Sequence, residues 1–423
     1  MRTWLTGVSA IILAIGASST SQAEHAYFVA LDTDNEYPEG TTAISVSADG
    51  TTIIGSANST KSGILHVPFR WQADSGVISL GAMADEKQGP YAETIPLALS
   101  ADGAIIVGYA RTDGSTAPAR AFRWRAETGY SLLPSCTAGE IRAAAISATG
   151  EQIAGYRALG SQPFFWNSPE HTCALLNFPS VPNTSAVLVT DMDASGDIAI
   201  GYVIQSSPAR NFGVRWFAQG GFEMIGEDRT PVGISADGTT IVSRFARWTE
   251  ATGWLGIPPA IPGSLFGRNM RAASGNGAII VGSDAEFLNG PPSAAIWDST
   301  NGSRLLQSVL ENEFGLDLSG WHLQIAMDIS ADGRVVVGNG IDPEGVQRGW
   351  RALLGTPLFA LGDLNCDGSI SVADIGPFVL VLTSPDMYSV QFPDCDPDRA
   401  DLNNDGTVSV GDIGAFVALL TGA

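Results

Sequence analysis

SADGAIIVGYA, residues Ser100–Ala110, holds one turn and one strand. Asp-Gly between apolar runs is a hairpin signal, and a type I′ turn there needs positive φ. The run Ile105–Val107 is β-branched and too short for a buried helix. The turn recurs as SADG at 47–50, 235–238 and 330–333, SATG at 147–150, DASG at 193–196 and SGNG at 274–277. Its glycines are Gly50, Gly103, Gly150, Gly196, Gly238, Gly277 and Gly333, on average about 47 residues apart. Each turn leads into an apolar strand such as TTIIGSA, then into a strand carrying Trp71, Trp124, Trp166, Trp216, Trp248, Trp297 or Trp350. A short strand such as VISLGAM closes the unit. Four short strands in roughly 40–50 residues, seven times over, predict a mainly β body folded as a seven-bladed β-propeller.

A ring needs a fastener. AYFVALD (Ala26–Asp32) reads as a strand without a unit of its own, and the seventh unit supplies its third strand near Gly349–Leu354. The N-terminal strand is therefore expected to complete the seventh sheet, with Leu358–Leu361 as the competing candidate. Two units are irregular. In the fifth, the stretch between Gly238 and Trp248 is short, which predicts a tight turn, and Ser243 replaces the usual Gly. In the sixth, Leu305, Leu306, Val309 and Leu310 have helical spacing and predict a short helix. One Trp per unit reads as core between blades. The Arg before it (Arg70, Arg123, Arg215, Arg247) faces the other side of its strand, where solvation or ion pairing is expected.

The end of the chain is doubled. Asp363–Thr383, DLNCDGSISVADIGPFVLVLT, returns as Asp401–Thr421, DLNNDGTVSVGDIGAFVALLT. Loop positions one, three, five, nine and twelve hold Asp363, Asn365, Asp367, Ser371 and Asp374, then Asp401, Asn403, Asp405, Ser409 and Asp412. Ser369 and Thr407, at position seven, complete the ligand sets. Gly368 and Gly406 permit the bend that wraps an ion. Oxygen ligands at this spacing predict two Ca2+ ions. After each loop, Ile375, Phe378, Val379 and Leu382 match Ile413, Phe416, Val417 and Leu420, a stripe expected to pack the two helices together. Pro377 is expected to bend the first helix.

The doubled loop resembles a type I dockerin, a double calcium-binding F-hand module, over about the last sixty residues. That resemblance implies a cohesin-like or cell-envelope protein partner. It departs from the family just before position twelve, where Val372-Ala373 and Val410-Gly411 stand in place of Ser/Thr-type recognition residues. The body resembles the HAF family of probable extracellular repeats, on the AIS-x-DG-x-x-VVG core, the aromatic-x-Trp strand and the ending SGWHLQIAMDISADGRVVVGNG. That resemblance implies an exported bacterial protein and says little of activity.

Composition agrees with export. Met1–Ala23 reads as a signal peptide: Arg2, the apolar run Val8–Ala17, then Ser21 and Ala23 before the cut. The domains are therefore expected at 1–23, 24–357 and 358–423. No later stretch is long enough to span a membrane as a helix. A net charge of −22 argues against nucleic acid. The four Cys (Cys136, Cys173, Cys366, Cys395) predict two disulfides, most simply one in the body and one in the tail.

No catalytic constellation emerges. His25, His66, His171 and His322 lack metal-ligand spacing. The Ser-x-Asp turns differ from the Asp box of sialidase propellers, because Gly follows Asp directly and the Asp varies between units. Loop carboxylates Glu93, Glu140, Glu151, Glu223 and Glu227 could serve glycoside hydrolysis, but nothing selects a pair. The reading is a secreted or surface-attached, calcium-binding scaffold whose propeller meets a glycan or protein. The alternative is a secreted carbohydrate-active enzyme of polysaccharide catabolism. A third reading makes the tail an intramolecular stabiliser only.

Overall fold

The computed structural model describes residues 26–31, 40–58, 66–85, 89–90, 93–111, 118–135, 138–157, 162–167, 172–264, 268–286, 290–354, 362–365, 370–392, 397–403 and 407–421. Over these the chain is mainly β, with short helices near the C-terminus.

The Ser, Asp and Gly of the turn each do a different job. Ser47 Oγ accepts from the Thr52 N–H (2.9 Å) and donates to Asp49 Oδ1 (2.6 Å). The same Asp49 oxygen accepts the Thr51 N–H at 3.0 Å. The Gly50 N–H donates to Ser47 O at 2.9 Å, and Gly50 alone of the four has positive φ, 72°. A type I′ turn needs two such residues. The expected geometry is therefore corrected: the turn runs over four residues and only its last is left-handed. Donor and acceptor can also trade places. In DASG, Ser195 Oγ donates to Asp193 Oδ2 (2.5 Å), while Asp193 Oδ1 accepts the Ile198 N–H (2.8 Å). In SGNG, Asn276 accepts from Ser274 Oγ at 3.1 Å. This explains why the turn tolerates Asp, Ser and Asn at one position.

Neighbouring turns are bonded to each other. Main-chain N–H groups donate from Ala48 to Ala101 (3.0 Å), Ala101 to Ala148 (3.0 Å), Ala148 to Ala194 (2.9 Å) and Ala194 to Ala236 (3.0 Å). Asp237 then donates to Gly275 (3.0 Å), Gly275 to Ala331 (2.8 Å) and Ala331 back to Ala48 (2.9 Å). The belt closes on itself.

Each turn joins the first two strands of a four-stranded antiparallel arrangement. In the first unit the strands are Thr41–Val46, Thr52–Asn58, His66–Gln72 and Gly76–Ser79. In the second they are Glu93–Leu99, Ile105–Arg111, Arg120–Arg125 and Gly129–Leu132, and one parallel pairing, His66 with Glu93, joins the two units into a larger sheet. The order repeats within 141–175, 184–227, 231–256 and 269–305. In the last sheet, His322–Ile329, Val335–Ile341 and Gln347–Leu353 are joined by Tyr27–Ala30, with Tyr27 opposite Leu353 and Ala30 opposite Trp350. The N-terminal strand thus takes the place expected of it. Leu358–Leu361 lies outside the described residues. The fifth unit turns tightly, Ser243 pairing with Ala246, and helix Leu306–Asn312 buries Leu306, Val309 and Leu310. A two-stranded ribbon, Ala84–Asp85 with Gly89–Pro90, was not expected from the sequence.

The Gly that ends each apolar run answers to close approach. In the fourth unit the first strand bulges between Val189 and Asp191. The bulge leaves Leu188 O where a Cβ on Gly201 would stand 1.9 Å away. Gly55, Gly108, Gly155, Gly282 and Gly338 meet equivalent carbonyls at 2.0–2.4 Å.

Apolar side chains fill the spaces between sheets. Trp166 packs among Ile105, Val107 and Ala121 of the preceding unit and donates its indole N–H to Pro134 O at 2.8 Å. Trp216 likewise reaches Asn177 O at 2.9 Å. The Trp alignment fails once. Phe69 stands opposite Gly55, and Trp350 stands opposite the equivalent Gly338, so Trp350 replaces Phe69 and Ala352 takes the Trp position. Ion pairing is met at Arg215, which holds Glu223 and Glu250, and the arginines also make a contact that was not expected. Arg70 lies over the Trp124 ring (5.8 Å), Arg215 over Trp248 (4.7 Å), Arg247 over Trp297 (5.0 Å) and Arg351 over Trp71 (5.4 Å). Each reaches the aromatic residue of the next unit, where cation–π attraction adds to packing.

In the tail, helices Ile375–Thr383 and Ile413–Thr421 each follow a 3-10 turn, and Phe378 stacks on Phe416 with centroids 4.3 Å apart. Only part of the expected stripe is inside. Ile375, Val379, Ile413 and Val417 are exposed, because Val381 rather than Val379 turns inward beside Phe378. Pro377 lies within the first turn of its helix, where Pro is tolerated, and both helices have nine residues.

Candidate functional site

The two tail loops are built on one frame. Asp374 Oδ1 accepts the N–H groups of Leu364 (2.8 Å) and Asn365 (3.0 Å), and its Oδ2 accepts the Ser371 N–H (2.8 Å). Asp412 repeats this with Leu402 (2.8 Å), Asn403 (3.0 Å) and Ser409 (2.8 Å). Ser371 and Ser409 each accept from the N–H two residues on, closing a capping box with Asp374 and Asp412. The Asp at position twelve therefore pins the start of its loop to the start of the helix. Asp363, Asp374 and Asp412 are buried. Arg399, in the 3-10 turn just before the second loop, places Nη1 4.0 Å from Asp363 Oδ2 and donates to Asp363 O of the first loop at 3.0 Å. Tyr388 donates to Leu364 O at 3.0 Å.

Of the predicted ligands, Asp363, Asn365, Ser371, Asp374, Asp401, Asn403, Thr407, Ser409 and Asp412 are described; Asp367, Ser369 and Asp405 lie outside the described residues. Among the described residues no three His, Cys, Asp or Glu side chains are grouped to hold a metal ion. The donor set nevertheless fits a hard cation. Its ligand positions are all oxygen, and a buried carboxylate in each loop is costly without positive charge.

Cys173 is disulfide-bonded. Cys136, Cys366 and Cys395 lie outside the described residues, as do Met1–His25 and His171. The body's candidate carboxylates are mostly tied up. Glu140 holds Arg111 (2.7 Å) and Arg142 (2.6 Å), Glu223 holds Arg215 (2.5 Å), Glu227 holds Arg210 (2.7 Å), and Glu93 is 4.0 Å from Arg111. Glu151 is exposed at a turn. His322 neighbours Ser293, and among the described residues no metal constellation forms around it.

A second constellation escaped the sequence reading. The first strands enclose a cavity of about 160 Å³, lined by the turn alanines and by Asp191 and Asp328. Both aspartates stand just after the bulge of their first strand, where the other units carry Ser45, Ala98, Ala145, Gly233 and Ala272, and of these Ser45 and Ala98 also line the cavity. Each Asp ties its unit to the next. Asp191 Oδ2 accepts the Ile234 N–H (2.9 Å), and Asp328 Oδ2 accepts Ser45 Oγ (2.5 Å) and the Val46 N–H (3.0 Å). The signal was present in TDMDASG and AMDISADG, as a charge at an otherwise small position.

Burial pushes the Asp191 carboxyl up to about 7, with Asp328 and Asp193 adding like charge and the Ile234 and Met192 N–H groups opposing. Burial also raises Asp328. Both are enclosed by protein yet keep accessible surface on the cavity, so water relieves part of the penalty. The folded state holds a proton that the unfolded Asp releases near 3.8, and the stability this supplies is lost as pH rises toward about 7. Urea melts of wild type are expected to lose on the order of 1–2 kcal/mol from this source between pH 5 and 8. Asp191→Asn should flatten that slope. An unchanged slope would show that Asp191 does not titrate in this range.

No family model matches the chain, and no curated protein matches it. The two resemblances drawn above therefore rest on their own residues. Among solved structures, U3-55K is 13% identical with a TM-score of 0.47, over 77% of this chain and 98% of that one. The Cps50 (Swd1) β-propeller domain from Myceliophteria thermophila is 12% identical with a TM-score of 0.45, over 77% and 99%. The β-propeller domain of the Trilobed protease from Pyrococcus furiosus, described as having an open velcro topology, is 11% identical with a TM-score of 0.51, over 74% of this chain and 94% of that one. This last likeness shows the fold of the body, that of a β-propeller domain.

Proposed function

We propose that the chain is an exported calcium-binding scaffold. Its body, 24–357, is a seven-bladed propeller offering a surface to a glycan or protein. Its tail, 358–423, binds two calcium ions and attaches the protein to a cohesin-like or cell-envelope partner. The closed belt of turn-to-turn hydrogen bonds supports seven blades. The observation that carries the calcium reading is the repeated loop frame, with buried Asp363, Asp374 and Asp412 on oxygen-only loops. Asp363, Asn365, Asp367, Ser371 and Asp374 would hold one ion, and Asp401, Asn403, Asp405, Ser409 and Asp412 the other, with Ser369 and Thr407 at position seven. Bound calcium supplies positive charge and no chemistry of its own. Val372 and Val410, with Ile375, Val379, Ile413 and Val417, leave two matching apolar strips exposed on the tail. These strips suit a protein partner better than a sugar.

Calorimetry on the full mature chain tests the reading. Uptake of two calcium ions is expected, with a gain of helical signal over the chelated protein. Asp363→Ala combined with Asp401→Ala should abolish both, and absence of uptake by wild type would refute the assignment.

A further inference from the structure

The seam where the ring closes contains a cation that its neighbours do not resemble. Arg215 receives a carboxylate directly across the strand pair, from Glu223 at 2.5 Å, and a second from Glu250 at 2.6 Å. Arg351 occupies the same register, opposite Val337 as Arg215 is opposite Ile200. Its outer neighbour, however, is the N-terminal strand, and the residue across from it is Val29. The Tyr27 ring, 4.8 Å away, covers one part of the guanidinium and Trp71 another, leaving Arg351 6% exposed. Nη2 donates to Gly50 O at 3.3 Å, while Nε and Nη1 are buried without a hydrogen-bond partner among the described residues. A buried cation left so is costly, and an anion that reaches it is bound firmly.

Arg351 lines a cavity of about 390 Å³ together with Tyr27, Asp49, Thr51, Asp332 and Arg334. That volume is within the range of small-molecule sites. Neither carboxylate there serves Arg351. Asp49 Oδ1 is committed to Ser47 and Thr51, and Asp332 Oδ1 to Ser330 and the Arg334 N–H. Arg351 and Arg334 only balance these two carboxylates, so the site has no surplus positive charge for a polyanion and suits a ligand with a single charge.

We propose that this cavity binds a small organic monocarboxylate, whose oxygens accept hydrogen bonds from Arg351 and whose body lies against Tyr27 and Leu353. The ligand would touch the N-terminal strand, the first turn and the last sheet together, so its binding is coupled to closure of the ring. The site is independent of the calcium loops and should respond equally in calcium and in chelator, which separates its failure from theirs.

The test is calorimetry and thermal melting of the full mature chain with benzoate, with D-glucuronate and, as neutral control, with benzamide. Saturable uptake of at least one acid is expected, with a rise in Tm and no response to benzamide; the acid that binds distinguishes an aromatic from a sugar ligand. Arg351→Met should weaken that uptake tenfold or more. Val29→Glu places a carboxylate across from Arg351, as Glu223 stands across from Arg215. It should fold without ligand and also lose the response tenfold or more, which decides the matter if Arg351→Met does not fold. Uptake of neither acid, or uptake unchanged in a folded variant, would overturn the proposal.

Discussion

Deleting residues 24–34 is expected to lower the melting temperature of the body by roughly 5–10 °C and to make it self-associate. The strand Tyr27–Ala30 supplies the outer edge of the last sheet. Just beyond it, fully buried Leu31 donates its N–H to Gly349 O at 2.8 Å, and its own carbonyl accepts Thr41 Oγ1 at 2.7 Å. Phe28 packs edge-on to Trp321 at 5.0 Å and lies 6.1 Å from Trp350. Loss of Leu31 alone costs about 2 kcal/mol of transfer free energy before any cavity is counted. With Phe28, Val29 and the strand hydrogen bonds the sum reaches on the order of 5 kcal/mol. Strand Gln347–Leu353 would then become an open edge able to pair with another molecule. Scanning calorimetry and size-exclusion chromatography read both effects. A melt that does not move would show that the ring holds without its fastener, the turn belt being sufficient.

Gly201→Ala carries the second large effect, and here two rules oppose each other. Strand propensity favours the substitution by about 0.5–1 kcal/mol, since Gly is a poor strand residue. The new Cβ, however, would stand 1.9 Å from Leu188 O, 2.9 Å from its carbonyl carbon and 3.0 Å from Val189 Cα, all main-chain atoms. Relief requires undoing the bulge, and overpacking of this kind costs on the order of 3 kcal/mol. Destabilisation should win, visible as an early urea midpoint. Ser243 explains why one unit escapes the rule. Its first strand begins only at Pro231, the residue paired with Ser243, so the carbonyl before it is not held in the sheet. Ser243→Gly should therefore change stability by less than about 1 kcal/mol. Equal effects at the two sites would contradict the close-approach account.

The Gly of the apolar run was visible in the sequence, but its cause was not, because the clash comes from a carbonyl in another strand. The arginines show the same limit. Alternation places Arg70 and Arg215 on the face away from their own Trp, yet the ring of the next unit lies there. Asp191 and Asp328 stand far apart in sequence, and only circular closure brings both to one cavity. In the tail the oxygen spacing could be read directly, since loop ligands are local. Which helix residues face inward could not, because Phe378 meets Phe416 across thirty-eight residues of chain.

By itself the sequence determined the unit of this protein: turn, apolar strand, aromatic strand, and the doubled oxygen-bearing loop. These depend on period and on short-range hydrogen bonds, such as Ser47 with Asp49, which need no distant partner. Tertiary structure decided how the units meet: the belt of N–H donors, the register that seats Trp350 in place of Phe69, and the burial of Arg351 beneath Tyr27. The last of these arises only when strands from opposite ends of the chain share a sheet. At that seam Arg351 is opposed by Val29, where Arg215 in the fourth unit meets Glu223.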